Sequence, residues 1–207
     1  MLDSEQTSRT GRKPKGEGHE RRGEILAAAE RIFVEKGYEG ATIRKIADEV
    51  GLSSTALYMH FADKGEILNE ICRNAFEGLL ARQMDCMVNG DNPLNCVIDL
   101  ARGYTQFGFD HPNAYRLAFM MPTLPSADGS ETVAQKAAAQ LYQNFERSVR
   151  VAIEAGLLKG EVPIVTQLLW ASVHGLISLI LTKPYFAWAD YEKLIDAQIA
   201  SLIKGNS

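Results

Sequence analysis

Residues 51–61 read GLSSTALYMHF, and the way this stretch is folded decides the architecture of the N-terminal part of the chain. Just before it, Thr42 can cap a short helix in which Ile43, Ile46, Ala47 and Val50 recur at i, i+3, i+4 and i+7. Gly51 ends that helix, because glycine takes positive φ without a steric cost. Leu52 follows as a buried plug, and Ser53 can cap a third helix whose inward residues, Leu57 and Phe61, stand four apart. Two short helices joined by so tight a turn outline a helix-turn-helix.

Upstream, Ile25, Ala28, Ala29, Ile32 and Phe33 fall on one face of a first amphipathic helix, with Gly37 as its stop. Downstream of Asp63 the pattern changes to long helices. They are expected over roughly 64–88, 93–109, 112–120, 131–155, 163–181 and 185–203, with GDNP and MPTLPSADGS as loops. Strand alternation is nowhere evident. The expected fold is all-α: a three-helix helix-turn-helix DNA-binding domain over 21–66, preceded by a basic arm over 1–20. A larger C-terminal helical bundle is expected over 67–207.

The 207 residues carry a formal net charge of −4, so any polyanion site must be local. Arg9, Arg12, Lys13 and Lys15 supply such a site in the arm, and the absence of an apolar signal core there points to a cytoplasmic protein. Cys72, Cys86 and Cys96 match no zinc spacing and are expected to be reduced, buried thiols. No metal site, cofactor or catalytic residue is expected, since histidines and cysteines lie on separate elements and no nucleophile, base and orienting group occur together. One stretch, Val162 to Thr182, lacks charged side chains and is long enough to cross a bilayer. Pro163, Gln167 and His174 dilute it, and a buried helix at an oligomer interface is favoured over a membrane span.

With Leu57 inward, Thr55 and Met59 point outward, so the third helix offers Ser54 and Thr55 to base edges in a major groove about 12 Å wide. Met59 adds an apolar contact of the kind a thymine methyl accepts. Tyr58 and His60 reach sideways toward phosphates, against the competing reading that they pack on the next helix. Lys64 at that helix's start, Thr42 and Arg44 at the front of the second helix, and the capping Ser53 complete the expected DNA-contacting set.

Residues 22–68 resemble the DNA-binding domain of TetR-type (tetracycline repressor-like) regulators. The resemblance rests on Phe33, Gly37-Tyr38, Thr42, Ile46-Ala47, Gly51, Leu57-Tyr58, His60-Phe61, Lys64 and Leu68 in register. Thr55 and Ala56 stand where many members carry glycine or proline and then threonine, which bears on the base sequence read. The resemblance implies a homodimer that sets one recognition helix of each subunit into successive major grooves of a pseudo-palindromic operator in double-stranded DNA. It also implies a C-terminal domain that dimerises through its last two long helices and encloses a pocket for a small organic effector. WASVHG at 170–175 and HPNAYRLAFM at 111–120 are similar to one C-terminal subtype of that family.

For the pocket lining, Phe76, Leu80, Tyr104, Phe107, Tyr115, Phe119, Met120 and Tyr142 are the apolar and aromatic candidates. Trp170 and His174, four apart, share a face that could line either the pocket or the interface. Ordinary core packing is the competing reading for each of them. The function implied is a ligand-responsive repressor released from its operator by the effector. The alternatives are an all-α enzyme or small-molecule binder without a DNA target, and a membrane-associated helical protein.

Overall fold

In the computed structural model the described residues are 17–89, 92–122 and 129–206, and among them every regular element is a helix. Arg9, Arg12, Lys13 and Lys15 of the expected arm lie outside them. Helix α1 covers Glu17–Gly40 and breaks at Gly37, whose φ of 70° and ψ of 167° stop the turn where the sequence reading puts it. Helices α2 (Ile43–Glu49) and α3 (Ser54–Tyr58) follow, then α4 (Lys64–Asn89), α5 (Pro93–Asp110) and α6 (Pro112–Tyr115). A π-helical turn, Arg116–Met120, continues α6; α7 (Val133–Glu154), α8 (Val162–Thr182) and α9 (Tyr191–Gly205) complete the chain.

The starts are written in local chemistry. Asn92 accepts hydrogen bonds from the backbone of Leu94 and Asn95 to cap α5, and Pro93 fills a position whose N–H has no helical partner. Thr132 and Gln135 form a reciprocal capping box, so α7 begins at Val133 rather than at Glu131. Asp190 caps α9, and the helix expected from Tyr185 starts only at Tyr191. Residues 185–190 form a non-helical connection in which Tyr185 and Phe186 are exposed, while the Trp188 indole N–H donates to the Lys183 carbonyl at 3.0 Å.

Helix α4 crosses the boundary expected at residue 66 without a break. Its first half belongs to a core formed by Ile25, Phe33, Ile46, Leu57, Phe61 and Ile67, and this same core takes in Ala114 and Leu117 from α6 and the π-turn. The N-terminal domain and the bundle therefore share one apolar contact region. Behind it, α8 buries Val165, Leu169, Val173 and Ile177 against α5, α7 and α9. The candidate membrane span is thus a structural helix of the bundle on one side, and its other side remains exposed.

The cysteine expectation needs correction. Cys86, near the end of α4, and Cys96, in the first turn of α5, have Cα atoms 5.6 Å apart and are joined as a disulfide. They stand ten positions apart in the chain and on two different helices, so no helical periodicity could bring them together on paper. Cys72 is the free thiol, and burial pushes its pKa up to about 12, which keeps it protonated and inert.

Arg22 staples α1 to α4. Its guanidinium donates to both carboxylate oxygens of Glu70, to the His60 carbonyl at 2.5 Å, and lies 4.0 Å over the Phe61 ring. The Arg22 hydrogen bond holds the Glu70 carboxyl below the usual carboxylate range. A depressed folded-state pKa gives stability that is present above the unfolded value of about 4.3 and is lost as pH falls through the lower folded value. Glu70→Gln should therefore cost about 1.5–3 kcal/mol near neutral pH, the range for charge-assisted hydrogen bonds. Urea unfolding at pH 7 and at pH 3 should show this deficit shrinking in acid; an unchanged deficit would separate Glu70 from the acid response.

Candidate DNA-reading surface and the cavity behind it

The turn between α2 and α3 is built by backbone hydrogen bonds that close on α2. Leu52 N–H donates to the Ala47 carbonyl at 2.8 Å, and Gly51, at φ 66°, makes the reversal possible. Thr42 and Ser53 cap their helices: Thr42 Oγ1 accepts from Lys45 N at 3.2 Å and Ser53 Oγ from Ala56 N at 3.1 Å. Each hydroxyl keeps its hydrogen free to donate outward. Leu57 and Phe61 are fully buried beneath, so α3 is held by its inner face and its outer face is left to solvent.

That outer face carries Thr55, exposed, with Tyr58 at 54% and Met59 at 83% exposure. Arg44 projects from α2 close by, its Nε 3.8 Å from Asp48 Oδ2 in a solvent-exposed pair that costs little to break. Ser54 and His60 are half-buried.

Lys64 has a different immediate task from the one its position suggested. Its ammonium donates to the Tyr38 carbonyl at 2.8 Å and the Ala41 carbonyl at 3.4 Å, and sits 4.2 Å over the Tyr38 ring. It thereby fixes the α1–α2 corner, and with it Thr42, against the head of α4. The first turn of α4 is also occupied: Asp63 Oδ1 accepts from Glu66 N, and Glu66 Oε2 from Ala62 N. Arg22, Tyr38 and Lys45, whose Nζ donates to the Gly40 carbonyl at 2.7 Å, support this surface without having been assigned contacts from the sequence. Their partners are distant or main-chain atoms that residue spacing does not reveal.

Within the bundle, α4, α5, α7, α8 and the π-turn enclose a cavity of about 790 Å³. Of the residues expected to line it, Phe76, Tyr104, Phe119, Tyr142 and Trp170 do so. Leu80, Phe107, Tyr115, Met120 and His174 lie outside the lining; on α4 it is Leu79 and not Leu80 that faces inward. The π-turn carries Phe119 to the cavity wall, in edge-to-face contact with both Phe76 and Tyr104. Gln83, Leu141 and Val173 also line it and are not among the expected residues: Gln83 is polar, and periodicity does not tell which of the many apolar positions face a cavity and which face the core.

Tyr115 is instead a fully buried core residue that joins a polar cluster behind the wall. Its hydroxyl lies 2.6 Å from His174 Nδ1 and 3.0 Å from the Tyr104 hydroxyl, to which Trp170 Nε1 donates at 3.3 Å. Ser178 Oγ stands 3.2 Å from His174 Nε2. Burial lowers the His174 pKa and raises that of Tyr104 to about 12, so both are neutral near pH 7. The motif residues Trp170 and His174 therefore do separate work, one at the cavity wall and one in the hydrogen-bonded cluster that positions it.

On the far side of α8, Ile164, Leu168 and Leu179 are about half exposed and recur at helical spacing with Ala171 and Gly175. Among the described residues nothing stands within 4 Å of where a Cβ on Gly175 would lie, so this side offers an open apolar strip. Among the described residues no group of acidic, histidine or cysteine side chains could hold a metal ion.

Residues 25–71 match the family described as bacterial regulatory proteins, tetR family, and residues 97–202 match the tetracyclin repressor-like C-terminal domain. The HTH-type transcriptional repressor KstR2 of Mycobacterium tuberculosis is 42% identical over 79 residues, which is 38% of this chain and 40% of that protein. The HTH-type transcriptional activator FasR of Mycolicibacterium smegmatis is 39% identical over 71 residues, 34% of this chain and 29% of that one. Each match thus spans less than half of the relative. Among solved structures, the ketosteroid regulator KstR2 of M. tuberculosis superposes with a TM-score of 0.73 at 23% identity, covering 90% of this chain and 95% of that one. The fatty acid degradation regulator FadR of Bacillus halodurans gives 0.75 at 15%, covering 93% and 98%. These likenesses establish a shared fold.

Proposed function

The chain belongs to the TetR family of bacterial regulatory proteins, and on that premise we propose that it is a ligand-responsive transcriptional repressor that binds a palindromic operator as a homodimer. The observation that carries the reading is the outer face of α3, where Thr55, Tyr58 and Met59 stand exposed above a buried Leu57. A short helix pinned from beneath and polar at its N-terminal end is what a major groove admits. In this reading Thr55, with Ser54, addresses base edges and Met59 a thymine methyl. Tyr58, His60, Thr42, Ser53 and Arg44 contact the phosphates, and Lys64 serves mainly by fixing the corner that carries Thr42.

Two such helices must sit about one duplex turn, roughly 34 Å, apart. The apolar strip along α8 supports the dimer that would set this spacing, since an exposed apolar helix face of this length is a normal interface core. The effector would occupy the cavity. Phe76 on α4 and Phe119 on the π-turn line it, while Leu117 of the same turn packs in the N-terminal core, so filling the cavity and moving the DNA-binding domain engage the same two elements. The effector acts to the extent that it binds the released state more tightly than the operator-bound one. Repressor is the sign proposed, as for KstR2, and a cytoplasmic location follows from the role.

Selection from a randomised duplex pool with the purified protein should return a palindrome. Thr55→Ala should then change base preference at one position of each half-site, whereas Tyr58→Phe should weaken all sequences alike, by roughly the 1 kcal/mol of one phosphate hydrogen bond. A pool that yields no enriched sequence at low ionic strength would refute the reading. Uniform loss for both variants would reassign Thr55 to the phosphates.

A further inference from the structure

The Cys86–Cys96 bond ties together two helices that both wall the cavity. Cys86 stands near the end of α4 and Cys96 in the first turn of α5, and both residues belong to the cavity's lining, so the bond closes the end where the two helices meet. Little else buries this end of α4. Gln83 is the last of its described side chains to be buried, Met84 is 63% and Met87 36% exposed, and of residues 84–87 only Cys86 is withdrawn from solvent. Cys72, the remaining thiol, lies two helical turns or more away and is the inert one. A regulator that works on DNA in the cytoplasm does so where thiols are kept reduced, and a disulfide in that compartment is as a rule transient and redox-sensing.

We propose that Cys86 and Cys96 form a reversible thiol–disulfide site, whose bond anchors the end of α4 to α5 and whose reduction releases it. The inference rests on the proposed function only for the compartment. Cys86 is half-buried and Cys96 only 8% exposed, so exchange starts at Cys86. Its thiolate attacks a sulfur of a low-molecular-weight disulfide, such as glutathione disulfide, and expels one thiolate; the Cys96 thiolate then attacks Cys86 Sγ and expels the second. Two protein thiols are oxidised and release two protons, which the departing thiolates take up, and one small disulfide is reduced to two thiols. An excess of the small thiol drives the same steps backwards. With Cα atoms 5.6 Å apart the two residues stand at the spacing a disulfide spans, so the bond forms without moving either helix. Once it is broken, the last turns of α4 have few buried side chains to hold them and open locally at low cost.

The test equilibrates the full-length native protein in glutathione buffers from wholly reduced to wholly oxidised, then counts free thiols by alkylation and mass spectrometry. The count should pass from three to one and back again, with the bond mapped to Cys86 and Cys96. Hydrogen exchange on the same samples should show the amides at the end of α4 exchanging about tenfold faster, or more, in the reduced form, with those of α1 as the internal reference. Cys72→Ser should leave the cycle intact, whereas Cys96→Ser should stop at a single glutathione on Cys86. The wild-type counts decide the matter even if a variant does not fold. Three thiols in every buffer, a bond that persists in excess reduced glutathione, a bond that involves Cys72, or unchanged exchange at the end of α4 would each overturn the inference. Operator titrations of both forms keep the two readings apart: failure of both to bind would sink the repressor, whereas an invariant thiol count with intact operator binding would sink only the redox site.

Discussion

Leu57→Ala should lower the unfolding free energy of the protein by about 2–5 kcal/mol, the range for truncating a fully buried leucine in a packed core. The larger consequence is functional. At five residues, α3 is far too short to be helical by itself, so its geometry is imposed by Leu57 and Phe61 plugging the core between α1, α2 and α4. Loosening the plug takes the whole proposed DNA-reading surface with it. We expect operator affinity to fall by at least about a hundredfold, equivalent to roughly 3 kcal/mol. Paired urea titrations and operator titrations measure both losses, and a variant destabilised by 2 kcal/mol or more that still bound operator normally would show that α3 does not carry recognition.

The second large effect is expected from Leu168→Glu. Leu168 is 48% exposed in one protomer, so the charge should leave the fold of that protomer intact, with an unchanged helical signal by circular dichroism. In the proposed two-fold interface the same carboxylate enters from both partners, and two desolvated like charges cannot be accommodated along an apolar strip. Sedimentation should show a monomer. A monomer holds one half-site instead of two, and operator affinity should drop by about a thousandfold or more, since the binding free energy of the second half is forfeited. A dimer that persists through Leu168→Glu would move the interface elsewhere on the bundle.

Much of this molecule is legible in the chain because the relevant physics is short-range. The spacing of Ile43, Ile46 and Ala47, the glycines at 37 and 51, and the capping side chains of Thr42 and Ser53 act within one or two helical turns, and the structure repeats them closely. The expected start of the last helix falls too early because Tyr185, Phe186 and Trp188 look like the apolar face of a helix. They form a loop because the Trp188 indole bonds back to Lys183 and the helix waits for its cap at Asp190.

The amino-acid sequence by itself determined which face of each helix is apolar, where most helices begin and end, and that α3 would show hydroxyls and Tyr58 outward, for these follow from periodicity and local hydrogen bonding. Only the tertiary structure decided that Lys64 turns inward to Tyr38 and Ala41, that Arg22 closes on Glu70, that Cys86 meets Cys96, and that Gln83 rather than Leu80 reaches the cavity. Periodicity states that a side chain is to be buried; what it is buried against depends on how helices far apart in the chain cross, and that is settled by packing.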